Sequence, residues 1–300
     1  MRNQIRFFQG EYMAVGLFIT DFDGTLLNDK RQISQKNICA LSELKKKNVI
    51  TAIATGRSIY SFNKALKTMT VLKDHDLPFD YIMVSTGAGV LEYPGGNIIY
   101  KKSLRAAAVE FIARYLDRQK IDYMIHQEIP DTHKFHYKSY KADNRDFCNR
   151  VKIYNAHARP LVSKAPLQKN ATQVLAVIQD GIDPDRYGEI CRVFSEFSVI
   201  HATSPLDHKS SWIEIFHKDV SKSKTAGWLS QKVGIKRQNT IAVGNDYNDQ
   251  DLLVWAAKGY IAENGPLELK NKFKVVASNN NCGVAEAIKA SESQIFKGLQ

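Results

Sequence analysis

Hydrophobic positions along this chain come in two textures. Near the N-terminus, Val15, Gly16, Leu17, Phe18 and Ile19 run unbroken to Thr20 and Asp21, the pattern of a strand covered on both faces. Val49 to Ala54 (Val-Ile-Thr-Ala-Ile-Ala) and Phe79 to Val84 read the same way. Between the first two, Ser34 stands as an N-cap, with Ile38, Leu41 and Leu44 on one helical face. Strand and helix thus alternate over residues 1–86 as in a doubly wound sheet.

After Ser85-Thr86-Gly87-Ala88-Gly89 the pattern becomes hairpin-like: Val90 to Tyr93, a Pro94-Gly95-Gly96-Asn97 turn, then Ile98 to Tyr100. Helices are predicted from about Leu104 to Lys120 and Pro184 to Phe194. Strands are predicted near Tyr123 to His126, Gln173 to Ile178, Ser198 to Thr203 and Trp212 to Phe216. The alternating texture returns at Val220, with helices from Ser221 to Val233 and Asn248 to Ala257 and strands at Thr240 to Val243 and Gly259 to Ala262. The expected fold is α/β: a doubly wound, Rossmann-like parallel-sheet core in two parts, residues 1–86 and 218–300, with an α+β cap inserted over residues 87–217. Such an insertion sits over the carboxyl ends of the strands, where open α/β sheets bind ligands and where a lid can close.

Composition narrows the class. Three hundred residues with 44% hydrophobic content support a large core and about two domains. No run approaches the roughly 18 apolar residues of a spanning helix, and the N-terminal apolar stretch ends in Asp21 and Asp23 without a cleavage-site pattern. A soluble, unprocessed chain is expected, with no membrane partner. Cys39, Cys148, Cys191 and Cys282 lie too far apart for a metal-ligand pair or a disulfide framework, which makes the reducing cytoplasm the expected compartment. Met13, directly before the first strand, is an expected alternative start of translation.

The net charge of +11 suits an anionic partner. Basic and aromatic residues concentrate between His133 and Lys164, among them Lys134, Tyr137, Lys138, Tyr140, Arg145, Arg150, Lys152, Tyr154 and Arg159. No nucleic-acid-binding motif accompanies them, so the segment reads as a solvated face of a mixed sheet, and a small phosphorylated metabolite is the expected partner rather than nucleic acid.

Candidate chemistry begins at Asp21 and Asp23. The bare Asp-x-Asp spacing recurs at Asp74/Asp76, Asp183/Asp185 and Asp249/Asp251, but only the first pair ends a continuous apolar strand and precedes Gly24-Thr25. Two carboxylates at a buried strand tip read as a magnesium-dependent phosphoryl-transfer site, because carboxylates facing a phosphate dianion require a compensating cation. Three more groups fall at predicted strand tips or helix starts: Thr55-Gly56-Arg57, Lys222, and Gly244-Asn245-Asp246-Tyr247-Asn248-Asp249.

Together these segments resemble the haloacid dehalogenase superfamily, and within it the Cof-type phosphatases with a large α/β cap. The resemblance spans nearly the whole chain from Met13. It rests on Asp21-Phe-Asp-Gly-Thr-Leu-Leu, Ala54-Thr-Gly-Arg, Val220-Ser-Lys222, the Gly244–Asp249 loop, Asn264-Gly265 and Asn281-Cys-Gly-Val-Ala, in that order. It implies that Asp21 attacks phosphorus to form an aspartyl-phosphate and that Asp23 protonates the departing alcohol and later activates water. It further implies phosphate binding by Thr55, Gly56, Arg57, Lys222 and Asn248, and Mg²⁺ held by Asp21, the Asp23 carbonyl, Asn245 and Asp249. Arg57 in such a loop also meets carboxylates or solvent. Lys222 is chosen over Lys224 because it follows Val220-Ser221 and sets the register of Ala226, Leu229 and Val233.

One position departs from the family's Gly-Asp-x-x-Asn-Asp loop: Asn245 stands where aspartate ligates the metal. Its amide oxygen can coordinate a hard cation, which implies weaker magnesium binding, unless Asp246 turns inward instead. The second carboxylate, Asp23, favours a phosphatase or mutase over a dehalogenase. A cytoplasmic Mg²⁺-dependent phosphatase of a small phosphomonoester, most plausibly a sugar phosphate, is the expected function. A phosphomutase and a non-catalytic binder of anions or nucleic acid are the alternatives. His126, Lys138 and His208 are candidate cap contacts, read here as surface residues and left out of the site.

Overall fold

A computed structural model of the chain describes residues 14–69, 76–161 and 169–295, with side chains through Ser291. Residues 1–13, with the expected start at Met13, and Lys164 of the basic segment lie outside these residues. The chain opens with β1 (Gly16–Asp21), α1 (Gln35–Lys46), β2 (Val49–Ala54), α2 (Ile59–Thr68), β3 (Tyr81–Val84), β4 (Gly89–Glu92) and β5 (Ile98–Lys101). It continues through α3 (Ala106–Arg118), β6 (Asp122–His126), β7 (Phe135–Lys138), α4 (Arg145–Ile153), β8 (Ala158–Pro160), β9 (Gln173–Ile178), α5 (Pro184–Val193), β10 (Ser198–Thr203) and β11 (Ser211–Phe216). It closes with α6 (Lys222–Lys232), β12 (Thr240–Gly244), α7 (Gln250–Trp255), β13 (Lys258–Ala262), α8 (Leu267–Lys270), β14 (Lys274–Val276) and α9 (Gly283–Ile295).

Two sheets result, with strand orders β14-β13-β12-β1-β2-β3-β4-β5 and β10-β11-β9-β6-β7-β8. In the first, β1 lies parallel to both β2 and β12, and β3, β13 and β14 continue the parallel array outward. Parallel neighbours need helical crossovers, and these cover both faces. Phe18 packs with Leu41 and Leu44 of α1 and Val284 of α9, while Leu17 and Ile19 pack with Leu229 of α6 and Leu252 of α7. All six residues of β1 are therefore buried, and its sequence reads as a run rather than an alternation. Helix α1 begins where Ser34 Oγ accepts the Asn37 N–H, as its sequence predicts.

The hairpin expected to open the inserted unit instead extends the first sheet. Ser85, Thr86 and Gly87 all take positive φ (49°, 56° and 97°), which reverses the chain at the tip of β3 so that β4 returns antiparallel beside it. The helix expected from Asn248 to Ala257 is split into a tight turn over Tyr247–Asp249 and the short α7. The basic segment is not simply a solvated face. Phe135 and Phe147 are buried, and the Arg150 guanidinium lies 4.3 Å from the centre of the Trp212 ring. Among the described residues no helix is long and apolar enough to cross a membrane.

Candidate active site

The tips of β1, β2 and β12 meet the first turn of α6. Two glycines allow the approach. Gly24 takes φ +73°, and a Cβ there would lie 2.7 Å from Asn245 Nδ2, so only glycine lets the loop after β1 rest on Asn245. Gly87 also has positive φ, and its Cβ would meet the Ser221 carbonyl oxygen at 2.7 Å. Thr225 Oγ1 donates to the Gly87 oxygen at 2.7 Å, which fastens the start of α6 to the tip of β3 and aims Lys222 inward. Lys222 is fully buried, with Nζ donating to Asp21 Oδ1 at 2.7 Å and to Asp249 Oδ1 at 2.5 Å. Lys224 is exposed and bonds the Lys218 oxygen.

The electrostatics follow from burial. Loss of solvent pushes the Asp21 carboxyl up to about 8, with Lys222 opposing and Asp249 adding to the rise. The same burial would lower the Lys222 ammonium, but Asp21 and Asp249 outweigh it and hold it well above its ordinary value. One ammonium thus serves two carboxylates, and the ionised group of three carries one uncompensated negative charge. Asp23 is served separately. Arg57 grips it through both oxygens, Nε to Oδ2 at 2.7 Å and Nη2 to Oδ1 at 2.6 Å, a fork that matches a carboxylate better than any other anion within its reach. The expected substrate contact Arg57 is therefore engaged with Asp23.

Asn245 occupies the centre of the arrangement. One terminal atom of its carboxamide lies 3.2 Å from Asp21 Oδ2, 2.9 Å from the Asp23 main-chain oxygen and 2.9 Å from Thr25 Oγ1. With nitrogen there, its two hydrogens are shared among these three acceptors. With oxygen there, Asn245 lies 2.9 Å from the Asp23 oxygen and 3.2 Å from Asp21 Oδ2, close to the octahedral edge of about 2.9 Å for ligands about 2.0–2.1 Å from a magnesium ion. The donor set is wholly oxygen and already short of one positive charge, so these residues fit a hard divalent cation. Among the described residues no cluster of three His, Cys, Asp or Glu side chains offers a metal site. This set instead counts an amide and a main-chain carbonyl.

The expected ligand Asp249 and the alternative to Asn245, Asp246, are engaged elsewhere. Asp249 has both oxygens engaged, Oδ1 by Lys222 and Oδ2 by the main-chain N–H groups of Asn245 (2.9 Å) and Asp246 (3.1 Å). It shapes the loop and holds Lys222. Asp246 turns away from the tips and accepts from Thr203 N (2.9 Å) and Thr203 Oγ1 (3.0 Å) of β10, joining the two sheets. Thr55 is buried, and its Oγ1 accepts the Arg57 N–H at 3.1 Å, leaving the hydroxyl hydrogen to donate. Gly56 is exposed beside it. Asn248 lines a groove with Ser221, Tyr247 and His201 at the outer side of the junction between the sheets.

Further residues at the site went unassigned from sequence. Thr86 Oγ1 donates to Glu214 Oε2 at 2.8 Å, linking the main-chain partner of Thr55 to the second sheet. Asn264 Nδ2 donates to the Gly24 oxygen at 2.8 Å, which gives the Asn264-Gly265 pair a role in holding the Asp21–Thr25 loop. Of these, Glu214 had a readable signal: a lone carboxylate within Trp212-Ile213-Glu214-Ile215-Phe216. His126, read as a surface residue, is 2% exposed.

Known proteins share this architecture over most of its length. The chain is 25% identical over 288 residues to a candidate phosphatase of Streptococcus pyogenes, covering 92% of this chain and 98% of that protein. It is 24% identical over 281 residues to the 5-amino-6-(5-phospho-D-ribitylamino)uracil phosphatase YitU of Bacillus subtilis, covering 91% and 96%. A solved HAD subclass IIB sugar phosphatase superposes with a TM-score of 0.71 at 18% identity, over 92% of this chain and 99% of that one. A solved phosphatase of Bacteroides thetaiotaomicron does so with a TM-score of 0.71 at 17% identity, over 96% and 98%. The profile of haloacid dehalogenase-like hydrolases matches residues 18–288. With a doubly wound core, a second sheet inserted after β3 and its hairpin, and paired aspartates at the tip of β1, the chain belongs to the haloacid dehalogenase-like hydrolases, in their Cof-type branch.

Proposed function

We propose that this hydrolase is a magnesium-dependent phosphatase that acts on a small soluble phosphomonoester, a sugar phosphate in the first instance, through an aspartyl-phosphate on Asp21. The reading rests above all on the buried Asp21 carboxylate, held at 2.7 Å by a fully buried Lys222 and two residues from a second carboxylate at the same strand tip. Asp21 attacks phosphorus, the bond from phosphorus to the alcohol oxygen breaks, and protonated Asp23 gives that oxygen its proton. Water then attacks the same phosphorus, Asp23 takes its proton, and the bond to Asp21 breaks to release inorganic phosphate. Lys222 stays charged throughout, fixing Asp21 and facing the transferring group with positive charge. Thr55 donates its hydroxyl hydrogen to a phosphate oxygen, and Arg57, which holds both Asp23 oxygens in this arrangement, frees one of them for the proton that Asp23 carries.

A magnesium ion held by Asp21, the Asp23 carbonyl and Asn245 would supply the positive charge that a phosphate dianion meeting buried carboxylates requires. The names of the relatives above, which act on a phosphorylated ribityl compound and on sugar phosphates, support a small hydroxylated substrate. Hydrolysis of a panel of sugar phosphates, alditol phosphates and phosphorylated cofactors with magnesium tests this reading. Selective release of phosphate with the free alcohol as product, and no need for a bisphosphate activator, is the expected result. No turnover of any compound at high magnesium would sink it.

Asn245 has its own test. Asn245→Asp restores an anionic oxygen to the ligand set, and the magnesium concentration for half-maximal activity is expected to fall roughly tenfold or more. An unchanged magnesium requirement would remove Asn245 from the set.

A further inference from the structure

Ser85 and Thr86, at the tip of β3, hold φ at 49° and 56°. A β-branched residue such as threonine enters this left-handed region only where its surroundings impose it, and such strain gathers at working sites. What the strained turn supports is the loop after β2. The Thr86 N–H donates to the Thr55 oxygen at 3.0 Å, and the Ser85 N–H to the Arg57 oxygen at 2.8 Å. Thr86 Oγ1 also stands beside Gly56, where a Cβ would meet it at 3.7 Å. Thr55, Gly56 and Arg57 therefore all rest on the turn.

Few groups are placed to impose that conformation. Ser85 Oγ is buried and makes no hydrogen bond, and Gly87 is held from its far side by Thr225 of α6. The remaining hold is on Thr86, whose Oγ1 donates to Glu214 Oε2 at 2.8 Å. Among the described residues no other side chain of the second sheet bonds the turn. The sequence of β11 explains why Glu214 faces this way. Ile213 and Ile215 share a core with Ile112 of α3 and Ile190 of α5, so alternation turns Glu214 to the opposite face, toward the first sheet. Gln173 Nε2 fixes its other oxygen at 3.1 Å.

A carboxylate 5% exposed, between Trp212, Ile213, Ile215 and Phe216, carries a desolvation cost that apolar packing of the two sheets would avoid. Burial pushes its carboxyl up, opposed by the Thr86 bond, the Arg150 charge, the Gln173 bond and the Lys222 charge. What an apolar residue cannot supply is an acceptor for Thr86 at a fixed point above the loop. We infer that Glu214 is a positioning residue of the phosphate site: through Thr86 it sets the main chain of Thr55, and so the direction in which the Thr55 hydroxyl meets the phosphoryl group. The inference rests on the phosphatase reading above. Glu214 touches no reacting atom in this role.

A double-mutant cycle on phosphate affinity tests this. Calorimetry with magnesium measures binding of inorganic phosphate to the native protein, to Thr86→Val, to Thr55→Val and to the two combined. Thr86→Val keeps the branched shape and removes only the donor. Each single variant is expected to weaken phosphate roughly tenfold or more, the scale of one bond to a charged group, and the pair to bind within about twofold of Thr55→Val alone. Glu214→Gln, whose oxygen still accepts from Thr86, is expected within about threefold of native. Where Thr86→Val fails to fold, Glu214→Met, which removes the acceptor instead, carries the cycle. Losses that multiply in the pair, unchanged affinity in Thr86→Val even with a lowered melting temperature, a fall in Glu214→Gln as deep as in Thr86→Val, or no phosphate binding by the native protein would overturn the positioning role. The coupled pattern in a protein that hydrolyses no phosphomonoester would instead overturn the phosphatase reading and leave Glu214 positioning a bound phosphate.

Discussion

Asp21→Asn is expected to reduce turnover of the best substrate by roughly four orders of magnitude or more, the scale on which removal of a nucleophile acts, while leaving the fold intact. The amide fills the same space at the tip of β1 and keeps an oxygen for the Lys222 ammonium. It cannot form the acyl-phosphate. The same change is expected to raise, not lower, the melting temperature of the metal-free protein at pH 8. The sign follows from the direction of the shift. Burial lifts the Asp21 carboxyl from its ordinary 3.8 to about 8, so the folded chain holds that proton more tightly than the unfolded one. Its effect on stability therefore worsens as pH rises from about 4 to about 8 and is at its worst above that range. An asparagine does not titrate, so the gap between variant and native melting temperatures should widen with pH and close when magnesium is added. A variant that lost activity but melted lower than native at every pH would show that Asp21 is held by its surroundings more favourably than its burial implies. Retained turnover would remove it as the nucleophile.

Much of this architecture was readable because its signals are local. An unbroken apolar run at β1 requires cover on both faces, and Ser34 and Ser221 cap the helices their positions announce. Helix α2 carries a stripe of its own, with Ile59, Phe62, Ala65 and Leu66 against the core, which a reading of residues 1–86 through their strands and first helix passes over. The β4–β5 hairpin was visible, but which sheet it joins depends on three left-handed residues, only one of them glycine, at the tip of β3. The site divides in the same way. Asp21, Asp23, Thr55 and Lys222 follow from strand tips and a helix start, whereas the partners of each carboxylate do not. Nothing local reveals that Asp249 spends both oxygens on Lys222 and the loop, or that Asp246 reaches Thr203 across 43 positions. Arg150 was hidden for a different reason: in a segment dense with lysine and arginine, composition gives no sign of which cation turns inward.

Lys222→Met should act on both stability and chemistry. The ammonium is fully buried between Asp21 and Asp249, so its removal leaves two carboxylates facing each other without compensation. Breaking a buried pair in this way costs about 3–5 kcal/mol, because the partner charges remain out of water. Well above pH 8, where Asp21 too has lost its proton, two partners are stranded rather than one, which places the expected loss there toward the upper end. Chemical denaturation of the metal-free variant measures it. Turnover should disappear as well, since Asp21 loses the hydrogen bond that fixes Oδ1 and, on the proposed mechanism, the ammonium that faces the transferring group. The two losses can be separated by adding Asp249→Asn to Lys222→Met. One stranded charge is then gone, and the Asn side chain can keep its oxygen on the Asn245 and Asp246 N–H groups. The double variant should recover a large part of the stability and none of the activity. Recovery of both would make Lys222 a structural counter-charge alone, and recovery of neither would mean that Asp21, not Asp249, carries most of the cost.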